Sequence, residues 1–161
     1  MMKSPRAKRL EVSKLDCKKS ASPSLITLEE LVQKIEAGHS ISLGIMEGIS
    51  VRDGREQPLF LVDIDNEEEG PILRIKDARA ICHDNGLPLA FYYQTFSHTK
   101  EHPKFRLAFV MDKPVTDEGM RKSIIETLVN LFPQSDKSCV NADRIFHGTN
   151  KRAKLLNRNG R

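Results

Sequence analysis

The chain has 161 residues, 39% of them hydrophobic and 30% charged, which is enough for about one domain with a substantial core. No stretch approaches ~18 uninterrupted apolar residues, so no membrane span is expected, and the basic start Met1-Met2-Lys3-Ser4-Pro5-Arg6 lacks the apolar core of a secretory signal. The net charge of +4 is uneven: residues 1–20 carry +5 and residues 151–161 carry +5, leaving −6 for the body between them.

Residues 1–24 are rich in Lys, Ser and Pro and read as a basic, disordered tail. Thr27-Leu28-Glu29-Glu30 is a capping box opening a helix with Leu28, Leu31, Val32 and Ile35 on one face, stopped at Gly38. Ile41 to Met46 alternates like a strand, and residues 47–58 read as a Gly- and charge-rich loop. Leu59-Phe60-Leu61-Val62-Asp63-Ile64-Asp65 reads as a buried strand, followed by an acidic loop from Asn66 to Gly70. A helix is expected from about Ile72 to Asn85, then strands at Leu89–Tyr93 and Phe105–Val110. Asp117 can N-cap a helix to Leu131 with Ile124, Ile125, Leu128 and Leu131 on its apolar face, and a short strand near Ile145-Phe146 closes the pattern. Strands and helices alternate, so the fold class is α+β or α/β, a small mixed and largely antiparallel sheet flanked by helices. The tail at 151–161 is again basic, and both tails read either as solvated ends or as phosphate-attracting arms.

The chemistry centres on Asp63 and Asp65. Residues i and i+2 of a strand project from one face, and two neighbouring carboxylates losing hydration are costly unless a cation lies between them. Mg²⁺ or Mn²⁺, which take hard oxygen ligands, suit that position. The loop Thr95 to Arg106 offers Ser97, His98 and His102, and Lys104-x-Arg106 puts two cations on one strand face as a clamp for a triphosphate. His98 and His102 are four apart, a spacing that holds zinc on a helix, but Pro103 and the flanking strands argue against one, so no zinc is expected. Cys17, Cys82 and Cys139 are odd in number and far apart, which argues against disulfides and a Cys-x-x-Cys zinc site and points to a reducing cytoplasm. Asp136 and Arg144 stand near two further strand or helix ends. Together these residues are the inventory of two-metal phosphoryl transfer.

In order and spacing, Phe60–Asn66, Tyr92–Thr99 with Lys104-Phe105-Arg106, and Phe132-Pro133 through Asp136 to Arg144–Gly148 resemble the catalytic core of the archaeo-eukaryotic primase (AEP) superfamily. The likeness is to its primase–polymerase (PrimPol-like) and mobile-element replication proteins, and it spans roughly residues 26–150, within a domain at 25–150. It implies a sheet with an RNA-recognition-like half, and template-directed nucleotidyl transfer in replication of a plasmid, phage or integrative element. Asp63, Asp65 and Asp136 would hold two Mg²⁺ or Mn²⁺ ions. His98, Lys104, Arg106 and Arg144 would hold the phosphates of an NTP or dNTP, with Ser97 orienting His98. Single-stranded DNA would be the template, and the sequence carries no Walker A motif, so a helicase would be separate or fused. The alternatives are a non-catalytic module that binds single-stranded DNA or recruits a replisome partner, and a two-metal nuclease.

Overall fold

The structure is a computed structural model that describes residues 9–16, 19–43, 45–46, 54–67, 69–141 and 144–156. In chain order its elements are β1 (Arg9–Asp16), β2 (Lys19–Thr27), α1 (Leu28–Glu36), β3 (Ser40–Ser42), β4 (Ile45–Met46), β5 (Gly54–Ile64), α2 (Ile75–Asp84), β6 (Leu89–Gln94), β7 (Phe105–Val115), α3 (Glu118–Leu131), β8 (Ile145–Phe146) and β9 (Ala153–Leu155). The strands form two sheets, ordered β2-β1-β3-β8 and β4-β5-β7-β6-β9, and every pairing is antiparallel. The architecture is therefore α+β, as the alternation of patterns implied.

β5 is the spine. Leu59, Phe60, Leu61, Val62 and Ile64 are all fully buried, so both faces of the strand are covered. This explains why its sequence is a continuous apolar run rather than an alternating one. α3 packs on β5 and β7, and β1 lies against β5 from the other sheet. Pro58 cannot donate to a ladder; the register shifts between Gln57 and Leu59, and the buried Gln57 amide donates to the Leu59 carbonyl at 2.9 Å.

The helices start and stop for local reasons. Thr27 and Glu30 make both bonds of the capping box, at 2.8 and 3.2 Å. α1 buries Leu28, Leu31, Val32 and Ile35 and ends at Gly38, whose φ of +88° suits a residue without Cβ. Asp117 caps α3 through the Met120 N–H at 2.7 Å. Ile125, Leu128 and Val129 of that helix are buried, while Ile124 and Leu131 are partly buried. None of the described helices is long and apolar enough to cross a membrane.

The tails differ from the sequence reading. Residues 9–16 and 19–27 are paired strands, not a disordered arm, and residues 153–155 form β9 on the edge of β6. In Leu10-Glu11-Val12 and Leu25-Ile26 the period-two and β-branched signals were present but were outweighed by the surrounding Lys and Ser. The Glu36 carboxylate accepts the Ala153 N–H at 2.7 Å and so ties β9 to α1. Residues 1–8 and 157–161, and Cys17, lie outside the described residues. The expected strand at 41–46 is two strands in different sheets, and the expected loop at 47–58 already enters β5 at Gly54. The helix expected from Ile72 starts at Ile75.

Candidate active site

β4 pairs with β5 only as far as Glu56, so the far half of β5 has an open edge opposite β7. The segment after α3 fills it. Ser135 bridges Ile64, the Asp136 N–H donates to the Asp63 carbonyl at 2.8 Å, and the Asp65 N–H donates to the Gln134 carbonyl at 3.2 Å. Two aspartates read from one strand and a third read after a distant helix are thereby brought to one place. Asp136 also caps a 3-10 turn at Lys137–Val140 by accepting the Ser138 N–H at 2.9 Å. That turn puts Cys139 beneath the strand, where its sulfur accepts the Asp63 N–H at 3.3 Å. Burial pushes the Cys139 thiol up to about 11, so it stays neutral there.

Asp63 lies directly across the ladder from Arg106. Arg106 Nε is 3.4 Å from Asp63 Oδ1, yet neither atom has a hydrogen-bond partner, so the contact is charge attraction without alignment. Arg106 is held from behind: its Nη1 donates to the Tyr93 hydroxyl at 3.2 Å and to the His147 carbonyl, and its guanidinium faces the Tyr93 and Phe146 rings at 5.6 and 5.4 Å. Arg144 approaches from the other side. Its Nη2 donates to Asp63 Oδ2 at 2.7 Å, its Nη1 donates to Asp136 Oδ2 at 2.9 Å and to the Ser138 hydroxyl, and it lies 5.0 Å from the Phe146 ring centre.

Lys104 ends the set. Its ammonium is 2.7 Å from Glu67 and 3.9 Å from Asp65. The Asp65 carboxyl is raised above the usual range, first by burial and then by Asp63, with Glu67 and Asp136 adding and Lys104 opposing. Burial would also raise Asp136, but the Ser138 bonds and Arg144 outweigh it and hold its carboxyl below the usual range.

His98 and Ser97 lie in the turn that joins β6 to β7. The Lys104 backbone N–H, rather than Ser97, orients the imidazole by donating to Nδ1 at 3.1 Å; Ser97 is exposed. Burial and then the nearby Lys151 lower the His98 pKa, so the ring is neutral at pH 7 with its proton on Nε2. Lys151, read from sequence as part of a basic tail, is built into this turn. Its ammonium donates to the carbonyls of Thr95, Phe96 and His98 at 2.7, 3.2 and 3.4 Å.

The strand end itself is fixed by Asn66, which has a φ of +50°. Its side-chain amide donates to the carbonyls of Leu73 and Pro103 at 2.9 and 2.8 Å, and its carbonyl oxygen accepts the Leu73 N–H at 2.9 Å. Beyond it a cleft of about 450 Å³ opens, with Asp65, Glu67, Glu69, Asp136 and Lys137 in its wall.

The sequence reading expected a divalent cation beside Asp63. Among the described residues, no group of three or more His, Cys, Asp and Glu side chains is arranged to hold a metal. The cations beside the aspartates are Arg106, Arg144 and Lys104. Of Lys104 and Arg106, expected as a phosphate clamp, Arg106 faces Asp63 across the ladder and is only 9% exposed, and Lys104 pairs with Glu67 and Asp65 beyond the strand ends. The donor chemistry still fits a hard divalent ion: all three candidate ligands are carboxylates, and Asp63 Oδ1 is a buried oxygen without a hydrogen bond.

No protein-family model and no curated protein matches the sequence. Among solved structures the chain is similar to the AEP domain of the primase–polymerase (PrimPol) of cyanophage S-2L. The match has a TM-score of 0.54 at 16% identity and covers 96% of this chain and 83% of that one. The fold is therefore AEP-like.

Proposed function

We propose that the chain is a template-directed nucleotidyltransferase, a DNA primase or primase–polymerase serving replication of a plasmid, phage or integrative element. The observation that carries this reading is the bridge from Ile64 to Ser135, which gathers Asp63, Asp65 and Asp136 at one end of an AEP-like sheet. In this reading the three carboxylates hold two Mg²⁺ or Mn²⁺ ions. Bound ions of this kind lower the pKa of an attacking 3′-hydroxyl and offset charge on the phosphates. Arg144 and Lys104 border the carboxylates and are the cations within reach of a triphosphate. Neutral His98 offers its Nε2–H to a phosphate oxygen, and exposed Ser97 flanks it. Arg106, which the resemblance implies would hold the nucleotide, acts in this reading as the buried counter-charge of Asp63. Single-stranded DNA is the template and a helicase, separate or fused, the partner.

The test is synthesis on a single-stranded template with Mn²⁺ or Mg²⁺ and labelled nucleotides. Asp65→Asn and Asp136→Asn should abolish product while leaving the fold intact by circular dichroism. No product from the wild type, or undiminished product from both variants, refutes the reading. A second reading is favoured by one observation, that each candidate ligand is already paired with a cation. It makes the protein a DNA-binding module without catalysis. Salt-sensitive DNA binding that ignores both substitutions, with no synthesis, would favour it, whereas shortened strands would indicate a two-metal nuclease.

A further inference from the structure

We infer that Arg144 is a displaceable counter-cation: it occupies the Asp63 and Asp136 carboxylates and must leave them before a divalent metal can bind. The inference rests on the proposed function for the identity of the ion, and on the geometry of two guanidiniums for the rest.

The two arginines beside Asp63 are anchored differently. Arg106 is bonded to the main-chain carbonyl of His147 and the Tyr93 hydroxyl and is enclosed by two rings, and its side chain is 10% exposed. The Arg144 guanidinium holds only side chains, bonding Asp63, Asp136 and Ser138 and lying against the single ring of Phe146, and its own side chain is 17% exposed. Its fork does not grip one carboxylate with both nitrogens. It puts one nitrogen on each of two carboxylates, at 2.7 and 2.9 Å.

That geometry has a chemical meaning. One withdrawal of Arg144 uncovers an oxygen of Asp63 and an oxygen of Asp136 together, beside the Asp63 oxygen that already lacks a hydrogen bond. Carboxylates left facing each other without a cation are costly, and a hard dication satisfies them better than one guanidinium does. The guanidinium already rests on the Phe146 ring, which its departure from the carboxylates need not break, and a triphosphate gives it a destination. Metal and guanidinium thus compete for the same oxygens.

The experiment is calorimetric titration of Mn²⁺, without nucleotide, into the wild type, Arg144→Ala and Arg144→Lys. Competition makes removal of this active-site arginine tighten the metal. The expected gain is at least about fivefold for Arg144→Ala, the lower end of typical coupling between two bound cations and their sites. Arg144→Lys, which keeps the charge but loses the fork, should lie between. Adding Asp136→Asn to Arg144→Ala should erase the gain and so locate the ion. Should Arg144→Ala fail to fold by circular dichroism, Arg144→Lys carries the test alone with a smaller gain. Mn²⁺ affinity that is unchanged or weakened in the variants overturns the inference while leaving the proposed function standing. Failure of every protein to bind Mn²⁺ overturns both.

Discussion

Removing the Asp63 carboxylate should cost the protein stability before it costs any chemistry. The Asp63 side chain is 7% exposed and faces two guanidiniums, those of Arg106 and Arg144. In Asp63→Ala, Arg144 keeps Asp136 and can reach water. Arg106 cannot, because its side chain is 10% exposed and is held by Tyr93 and His147. Stranding one member of a buried ion pair costs about 3–5 kcal/mol, against a total stability on the order of 5–15 kcal/mol for a single domain. For a chain of this size the melting temperature should fall by about 10 °C. The assay is urea unfolding with the slope checked for constancy. The double variant Asp63→Leu with Arg106→Met should recover most of the loss, because replacing a whole buried pair by apolar side chains is close to neutral. A single-variant cost under about 1 kcal/mol, or a double variant no better than the single one, would refute the claim that Arg106 is stranded. An inactive Asp63→Ala is therefore weak evidence of catalysis, and the more exposed Asp65 and Asp136 are the better probes.

Three other outcomes follow from the same geometry. A Cβ on Gly148 would lie 2.5 Å from the Gly38 carbonyl carbon and 2.7 Å from both the Gly38 Cα and the His39 oxygen, all backbone. Gly148→Ala should therefore lower the unfolding free energy by about 3 kcal/mol, at the upper end for overpacking, and lower the urea midpoint with it; an unchanged midpoint contradicts that contact. Asp65 has its folded-state pKa raised, so its contribution to stability is complete below its unfolded pKa and is lost as pH rises through the folded value. Asp65→Asn should accordingly be more stable than the wild type at pH 7, on the order of 0.5 kcal/mol, with the advantage vanishing near pH 4; a loss of stability at pH 7 would reverse the argument. Lys151→Met should release the carbonyls of the 95–98 turn and raise the His98 pKa part of the way toward its ordinary value, read by NMR titration of the imidazole. An unmoved titration would leave burial as the sole cause.

Local sequence signals carried most of the fold. The capping box at Thr27, the N-cap at Asp117 and the apolar run from Leu59 each depend on neighbours in sequence, and each is present as read. The strands near the chain ends differ from the sequence reading because such a strand draws its stability from the partners it pairs with, not from its own composition. The site was legible in part. Asp63 and Asp65 share a face by strand period alone, whereas the sequence, which suggests Lys104-x-Arg106 as a phosphate clamp, does not carry the register that sets Arg106 opposite Asp63. That register makes Asp63 and Arg106 cross-strand partners, and Lys104 stands 3.9 Å from Asp65 just beyond the ladder. The convergence of Asp136, the sulfur of Cys139 beneath the strand and the Lys151 anchor depend on contacts between segments far apart in sequence, for which no local pattern exists.

Asn66 has a consequence for how this site should be dissected. One amide side chain joins the end of β5, the entry to α2 through Leu73 and the entry to β7 through Pro103. Asp65 is its neighbour in the chain, and Lys104 follows the proline it holds. The spacing between the acid and the base of that pair is thus determined by a residue with no charge and no chemistry of its own. Its left-handed backbone and three bonds leave few replacements that keep both. Mutational scans scored by activity alone will rank Asn66 with the aspartates, although it is the dimension of the site rather than one of its reagents.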